Sequence, residues 1–265
     1  MTATPQHPEI LLEDDHLIAV VKPAGLPTAN AARGTPSMFT ILQQSRPRGA
    51  FLGVVSRLDA TVSGVLVMAK TRAAAADLSR QFRERLVQKN YEAIVEGRFP
   101  APLGEWVDWH DRIERLGEER RSRLSPSVGF TARGHEAATE GDDGEDMPGT
   151  DCHVRARVIT RMGEVSLVEL APTTGRRHQL RAQLAARRCP IVGDRHYGAR
   201  LPLAASPGYG AAIALHARSL GFVHPGTGRP LVLEAKRTQA WLARFPFLAR
   251  GKDQGRAGGG RGKMV

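Results

Sequence analysis

Cysteine is nearly absent from this chain, with two residues, Cys152 and Cys189, in 265. Two thiols are too few for a disulfide framework, and neither lies in a CxxC pair or at the Cys/His spacing of a zinc site. A reducing, cytoplasmic setting without a metal is therefore expected. Long apolar runs are missing as well. Stretches such as Val65 to Ala69 fall far short of the roughly 20 residues of a membrane span. The opening MTATPQHPEI has no basic stretch and is interrupted by Pro5 and Pro8, so neither a membrane anchor nor a secretory signal is expected. There is no P-loop, dinucleotide fingerprint or HxxEH, and no internal repeat of about 20 to 50 residues, which argues against cofactor-driven chemistry and a solenoid. Acids are scarce relative to bases, 27 against 38, for a net charge of +11. A pI near 10.5 makes nucleic acid the first partner to consider.

What is present reads as an ordinary globular chain, 41% hydrophobic and 25% charged. Ile10 to Glu13 and His16 to Val21 are short apolar runs around Asp14 and Asp15, as in two strands joined by a turn, and Lys22-Pro-Ala-Gly closes the second. Val65 to Ala69 reads as a buried strand. Thr71 is placed to cap a helix over Arg72 to Val87, with Leu78, Phe82 and Leu86 four residues apart and arginines on other faces. Tyr91 to Glu96, Val154 to Ile159 and Val165 to Leu170 have strand composition. Arg112 to Arg123 mixes charges densely and takes no assignment. Glu140 to Asp151 holds six acids (140, 142, 143, 145, 146, 151) and no Lys or Arg, marking an acidic surface insertion at about 136–151. Residues 250–265 are Gly-rich with charge 5 − 1 = +4, a basic tail of sequence-blind phosphate affinity.

Four segments carry candidate chemistry. In Ser56-Arg-Leu-Asp-Ala-Thr-Val-Ser-Gly64, Asp59 is either a nucleophile or base, or a turn residue. In Lys89 to Gly97, Tyr91 is either a base-stacking ring or a half-buried strand tyrosine. In Pro172 to Arg188, Thr173 or Thr174 is placed to cap a helix over Arg176 to Arg188, with Leu180 and Leu184 on one face. From Thr173 to Arg200 seven arginines (176, 177, 181, 187, 188, 195, 200) face the single acid Asp194, which fits either RNA contact or a solvated basic face. The fourth, Pro190 to Gly198, is a glycine-bounded loop in which Asp194 organises the turn.

In this order the segments resemble the RluA-type family of RNA pseudouridine synthases. Its Arg-Leu-Asp box, followed by Ser-Gly and an apolar strand, is similar to Arg57-Leu58-Asp59 with Ser63 to Lys70. Its Lys-x-Tyr-x-Ala-x-Val-x-Gly pattern matches Lys89, Tyr91, Ala93, Val95 and Gly97. Its Thr-Gly-Arg-x-His-Gln-Ile/Leu-Arg stretch matches Thr174 to Arg181, and Pro-Ile-x-Gly-Asp-x-x-Tyr-Gly matches Pro190 to Gly198. Leu215-His216-Ala217 and Phe222 to Gly228 resemble the closing segments. Two positions depart: Ser56 stands where His is usual and Val62 where Thr is usual.

The resemblance implies an α/β (α+β) fold, a single catalytic domain with a central mixed, largely antiparallel sheet and flanking helices. The domain is expected over 9–249, after an N-terminal extension at 1–8 and with no S4-type domain in front. It implies an isomerase that turns specific uridines of ribosomal or transfer RNA stem-loops into pseudouridine, without metal or cofactor. Asp59, Tyr91 and Arg181 are the implied catalytic residues, with Arg181 pairing Asp59 and Tyr91 stacking on a flipped base. Arg57 is implied to fill the vacated space, and Arg176, Arg177, His178, Gln179 and Lys22 join it as the RNA-binding set. A monomer is expected by default. The competing readings are a catalytically weak RNA-binding protein on the same fold and a metal-dependent nuclease using Asp14, Asp15 and His residues.

Overall fold

The structure, a computed structural model, describes residues 8–29, 35–116, 121–124, 149–205 and 208–249. The acidic insertion up to residue 148 and the basic tail lie outside the described residues. One eleven-stranded sheet runs through the molecule. The first hairpin pairs β1 (Glu9–Glu13) with β2 (Leu17–Lys22), and its turn is held by Asp14 Oδ1, which accepts from His16 N at 2.7 Å and Leu17 N at 2.9 Å. After α1 (Met38–Gln44), β4 (Ser63–Ala69) pairs with β2, and the short β3 (Gly53–Val54) pairs with the end of β4.

Every residue of β4 is buried, because both faces of this half of the sheet are covered. Leu17, Ala19, Val65 and Val67 pack with Ala74 and Leu78 of α2 (Arg72–Arg83), while Ile18, Val20, Leu66 and Met68 pack with Met38 and Leu42 of α1. This explains a continuous apolar run where a half-exposed strand would alternate.

The other half is built from β5 (Gln88–Glu96), β6 (Trp106–Leu116), β7 (Arg121–Leu124), β8 (Thr150–Met162) and β9 (Val165–Pro172). Here one face is apolar: Cys152, Val154, Ala156 and Val158 of β8 are buried, and His153, Arg155 and Arg157 point the other way. Helices α3 (Gln179–Ala186) and α4 (Gln239–Arg244) supply Leu180, Leu184 and Trp241 to that core. The charge-dense stretch around Arg112 is the end of β6 and β7. It forms a strand because Trp109 and Ile113 alternate inward, while Asp111 is tied to Arg187 at 3.0 Å.

Strand order is β1-β2-β4-β10-β5-β9-β8-β6-β7, with β10 at Leu215–Val223 and β11 (Pro230–Glu234) on β10. Among the described strands β4 and β10 alone run parallel; the sheet is mixed and largely antiparallel, as expected. Their approach is close. Gly64 has φ +123°, and a Cβ there would lie 2.2 Å from Ala217 O, so glycine is required at this step.

Two helix ends differ from the sequence reading. α2 stops at Arg83 rather than Val87: Arg85 turns left-handed at φ 59°, Leu86 N reaches back to Gln81 O at 3.0 Å, and Leu86 is left 57% exposed. α3 starts at Gln179, not Arg176, and closes the same way, with Arg188 at φ 58° and Cys189 N bonded to Leu184 O at 3.0 Å. Both are Schellman closures with arginine where glycine is usual, a position unfavourable by about 1–2 kcal/mol. No glycine signals them in the sequence.

At the β4–β10 contact, buried His216 takes part in a 2.8 Å bond between its Nδ1 and Ser63 Oγ. Burial pushes its pKa down to about 4, against the opposing pull of Ala235 O and Glu92. Below pH 6.5 the unfolded chain binds a proton that the folded ring refuses, so stability is fully present above 6.5 and falls as pH drops toward 4. Urea unfolding of wild type from pH 7 to 4 is expected to show this loss. In His216→Gln the slope is expected to shrink by about one proton; an unchanged slope would remove His216 from the linkage.

Candidate active site

The loop from Val55 to Val62 leads into β4 and carries Asp59 to the floor of a cleft of about 500 Å³. Its main chain is fastened from below. Lys22 is fully buried, and its Nζ donates to Pro23 O at 2.8 Å, Leu26 O at 2.7 Å and Ala60 O at 3.1 Å. Thr28 Oγ1 donates to Leu58 O at 2.9 Å and accepts from Leu58 N at 3.1 Å, and Ile213 N donates to Thr61 O at 3.1 Å. Burial lowers the Lys22 pKa to about 7, with Asp59 pulling it back up. Expected in the RNA-binding set, Lys22 is instead a buried support for the Asp59 loop.

Opposite Asp59 stands Arg181 of α3. Its Nε and Nη2 bond Asp194 at 2.7 and 2.8 Å, and Nη1 reaches Asp59 Oδ2 at 3.2 Å. Asp194 is 1% exposed, Arg181 7% and Asp59 30% in their side chains, so the guanidinium bridges from the interior to the cleft floor. Burial works against the arginine's charge, but Asp194 and then Asp59 outweigh it and raise its pKa above the ordinary value. The Arg181 guanidinium also lies over the Tyr197 ring at 4.9 Å.

His178 precedes α3 in a left-handed conformation, φ 55°, which turns its ring into the cleft with Nε2 3.6 Å from Asp59 Oδ2. Burial lowers its pKa to about 4, with Asp59 opposing, so the ring is neutral at pH 7. Its Nδ1 is 3.1 Å from Tyr197 Oη, which accepts from Ser122 N at 2.9 Å and donates to Ser122 O at 3.0 Å.

Tyr91 of β5 lines the same cleft. Burial first, and the Asp59 charge second, raise its pKa, so it is a protonated phenol at neutral pH. Exposed Arg57 and Arg176 lie on the cleft wall with Arg83 and Arg85. Arg177 is exposed but does not line it, and Gln179 is 4% exposed. Gln179 Oε1 accepts from Thr174 Oγ1 at 2.8 Å and Arg176 N at 3.1 Å, and its Nε2 donates to His153 O at 3.1 Å. Gln179 lines the cleft and holds the Thr174–His178 turn in shape. The basic stretch is likewise no solvated helix face, since Gln179 to Leu184 are all buried. Thr174, considered as a helix cap, bonds Gln179 and β8 while α3 begins without a side-chain cap.

Sequence reasoning passed over Asp194 as a turn residue, together with Lys89, Arg83 and Arg85. Lys89 Nζ donates to Thr174 O at 2.8 Å, and burial, then Arg85, lower its pKa to about 8. The signal for Asp194 was its isolation as the single acid among seven arginines. Of the two departures, Val62 is 3% exposed and joins the core as well as the cleft wall, and Ser56 lines the cleft.

A carboxylate bonded to a buried arginine, in one cationic cleft with a protonated phenol and on the cleft's floor, defines a site for acid–base or nucleophilic work on a polyanion. Comparison with known proteins gives the lineage. The family described as RNA pseudouridylate synthase matches residues 16–186, and the chain belongs to that family. It is 32% identical over 231 residues to ribosomal large subunit pseudouridine synthase C of Vibrio vulnificus (strain CMCP6), covering 85% of this chain and 64% of that protein. Against the protein of the same name from Escherichia coli (strain K12) the identity is 32% over 229 residues, covering 85% and 65%. The chain thus spans about 64% of the length of the first of these relatives. Among solved structures, human RNA pseudouridylate synthase domain containing 4 superposes with a TM-score of 0.66 at 26% identity, covering 90% of this chain and 93% of that one.

Removing the charge of Asp194 tests the clamp. Asp194→Asn leaves Arg181 buried beside a neutral amide and is expected to destabilise the fold by about 3 kcal/mol. Urea unfolding reads this directly, and wild-type stability in the variant would show that Arg181 is held by something else.

Proposed function

We propose that this protein is an RNA pseudouridine synthase in which Asp59 acts on the ribose of a uridine in ribosomal or transfer RNA. The observation that carries the reading is the Asp59–Arg181–Asp194 arrangement at the floor of a cationic cleft. In the reaction the N1–C1′ bond breaks, the detached uracil turns, C5 bonds to C1′, and the C5 proton is lost while N1 regains one. Atoms and oxidation state balance without a donor or cofactor. Asp59 takes the ionised carboxylate's part, as nucleophile at C1′ or as base at C2′.

A uridine within a stacked helix must be flipped out to reach the cleft floor, at a cost of a few kcal/mol. Arg57, exposed on the cleft wall, fills the vacated position, and Tyr91 stacks on the base, worth about 1–3 kcal/mol. The raised Tyr91 pKa keeps the hydroxyl protonated and available as a hydrogen-bond donor to the detached base. Arg176 at the cleft and Arg177 beside it engage phosphates, and the neutral His178 ring stands with Nε2 3.6 Å from Asp59. A cytoplasmic setting agrees with two free, buried thiols. Among the described residues no helix is long and apolar enough to cross a membrane.

Tritium release from C5-labelled uridine in unmodified ribosomal and transfer RNA tests the proposal. Wild type is expected to release label from one pool, and Asp59→Asn to fall by roughly 10³-fold or more with RNA affinity retained. Turnover surviving in Asp59→Asn would sink the assignment. Tight, salt-sensitive binding without release by wild type would favour the RNA-binding reading. Tyr91→Phe is expected to keep binding and slow release by about 100-fold.

A further inference from the structure

We propose that Asp108, His110 and His153, on the face of the sheet away from the α3 core, form a binding site for a divalent transition-metal ion of the zinc class. The register of β6 and β8 brings them together. His110 lies directly opposite His153, and Asp108, two residues before His110, shares its face. One donor atom from each residue falls within 4.8 Å of the other two. The imidazoles of His110 and His153 stack at 4.2 Å with 19° between their planes, and Asp108 Oδ1 is 2.9 Å from His153 Nε2.

Two imidazoles and a carboxylate are a donor set suited to zinc, with the fourth tetrahedral position left to water or an incoming ligand. Metal–donor bonds of about 2.0–2.2 Å need the three donors to close in and the His110 ring to turn out of its stack on His153, since parallel imidazoles do not aim their in-plane lone pairs at one ion. Asp108 and His110 are exposed, so their side chains are free to move.

The least exposed ligand already has an outer partner. His153 Nδ1 is 3.0 Å from Thr173 Oγ1; with Nδ1–H donating to that hydroxyl, Nε2 presents its lone pair to the ion. Thr173 also lines the cleft, and its N donates to His153 O at 3.2 Å, so an ion here would fasten β6, β8 and the start of the Thr173–His178 loop together. Arg155 opposes it, with Nε 3.8 Å from Asp108 Oδ1. The site is therefore one of moderate affinity, set by competition between the ion and this guanidinium. The inference stands on this geometry and not on the proposed isomerase activity.

Calorimetric titration of the chelator-treated full chain with Zn²⁺ is the test, with Co²⁺ absorption reporting tetrahedral coordination. Wild type is expected to take up a single saturable equivalent of moderate affinity. His110→Ala, at an exposed position that leaves the fold intact, is expected to abolish that equivalent, and Thr173→Val to weaken it by about tenfold. Arg155→Ala is expected to tighten it by roughly threefold, a change that general loss of structure would not produce. Absence of saturable binding, or affinity unchanged in His110→Ala, would overturn the site.

Discussion

The bidentate pair between Arg181 and Asp194 is the constraint on which the site depends. Desolvating two charges is costly, and the pair is tolerable only because both nitrogens of the fork find carboxylate oxygens. Asp194 cannot drift, since its own N bonds Ile191 O at 2.9 Å and its O accepts from Tyr197 N and Ala199 N. The neighbouring Val192 is stitched to Ile94 and Ala214. The guanidinium is thereby referenced to the sheet, and one free edge remains, the Nη1 that meets Asp59. A flexible lysine would supply charge at this place without the orientation.

Around that fixed cation the cleft keeps other charge low. The phenol of Tyr91 stays protonated and the imidazole of His178 stays neutral at pH 7, each for reasons of burial first. Burial holds the Lys22 amine's pKa well below its ordinary value, and its Nζ is spent on three backbone carbonyls. Arg181 is therefore the dominant cation beside Asp59 on the floor, while the exposed arginines stand further up where a phosphate backbone would pass. Separation of a positioned charge below from steering charges above follows from which residues the helix and loops bury.

The motifs made the centre of the site legible. Asp59, Tyr91 and Arg181 are brought to one cleft, and the buried run of β4 and the Thr71 cap are where local pattern puts them. The misreadings share a physical cause, which is that polarity does not reveal direction. Lys22 and Gln179 look like surface contacts by residue type and are among the most buried polar groups, each satisfied by backbone carbonyls or turn atoms that a sequence does not display. Asp194 looks like a turn residue and is one, but the same carboxylate also reaches α3 across 13 residues. Helix ends at Arg85 and Arg188 escape notice because a left-handed arginine carries no compositional mark. β6 is hidden by charge, its inward apolar residues Val107, Trp109 and Ile113 being interrupted on the same face by Asp111 and flanked by charged side chains on the other.

The place of β10 has a consequence for how the molecule is assembled. This strand, from the last quarter of the chain, is inserted between β4 and β5, which lie next to one another in sequence apart from α2. During synthesis β4 and β5 emerge early and wait with unpaired edges until residue 223 has been made. Thr61, two residues past Asp59, meets its partner Ile213 only then. Closure is a long-range event with slow, loop-entropy-limited character. A nascent chain stopped short of β10 carries every proposed catalytic side chain but lacks the strand that joins the two halves of the sheet, leaving two strand edges where the seam should be.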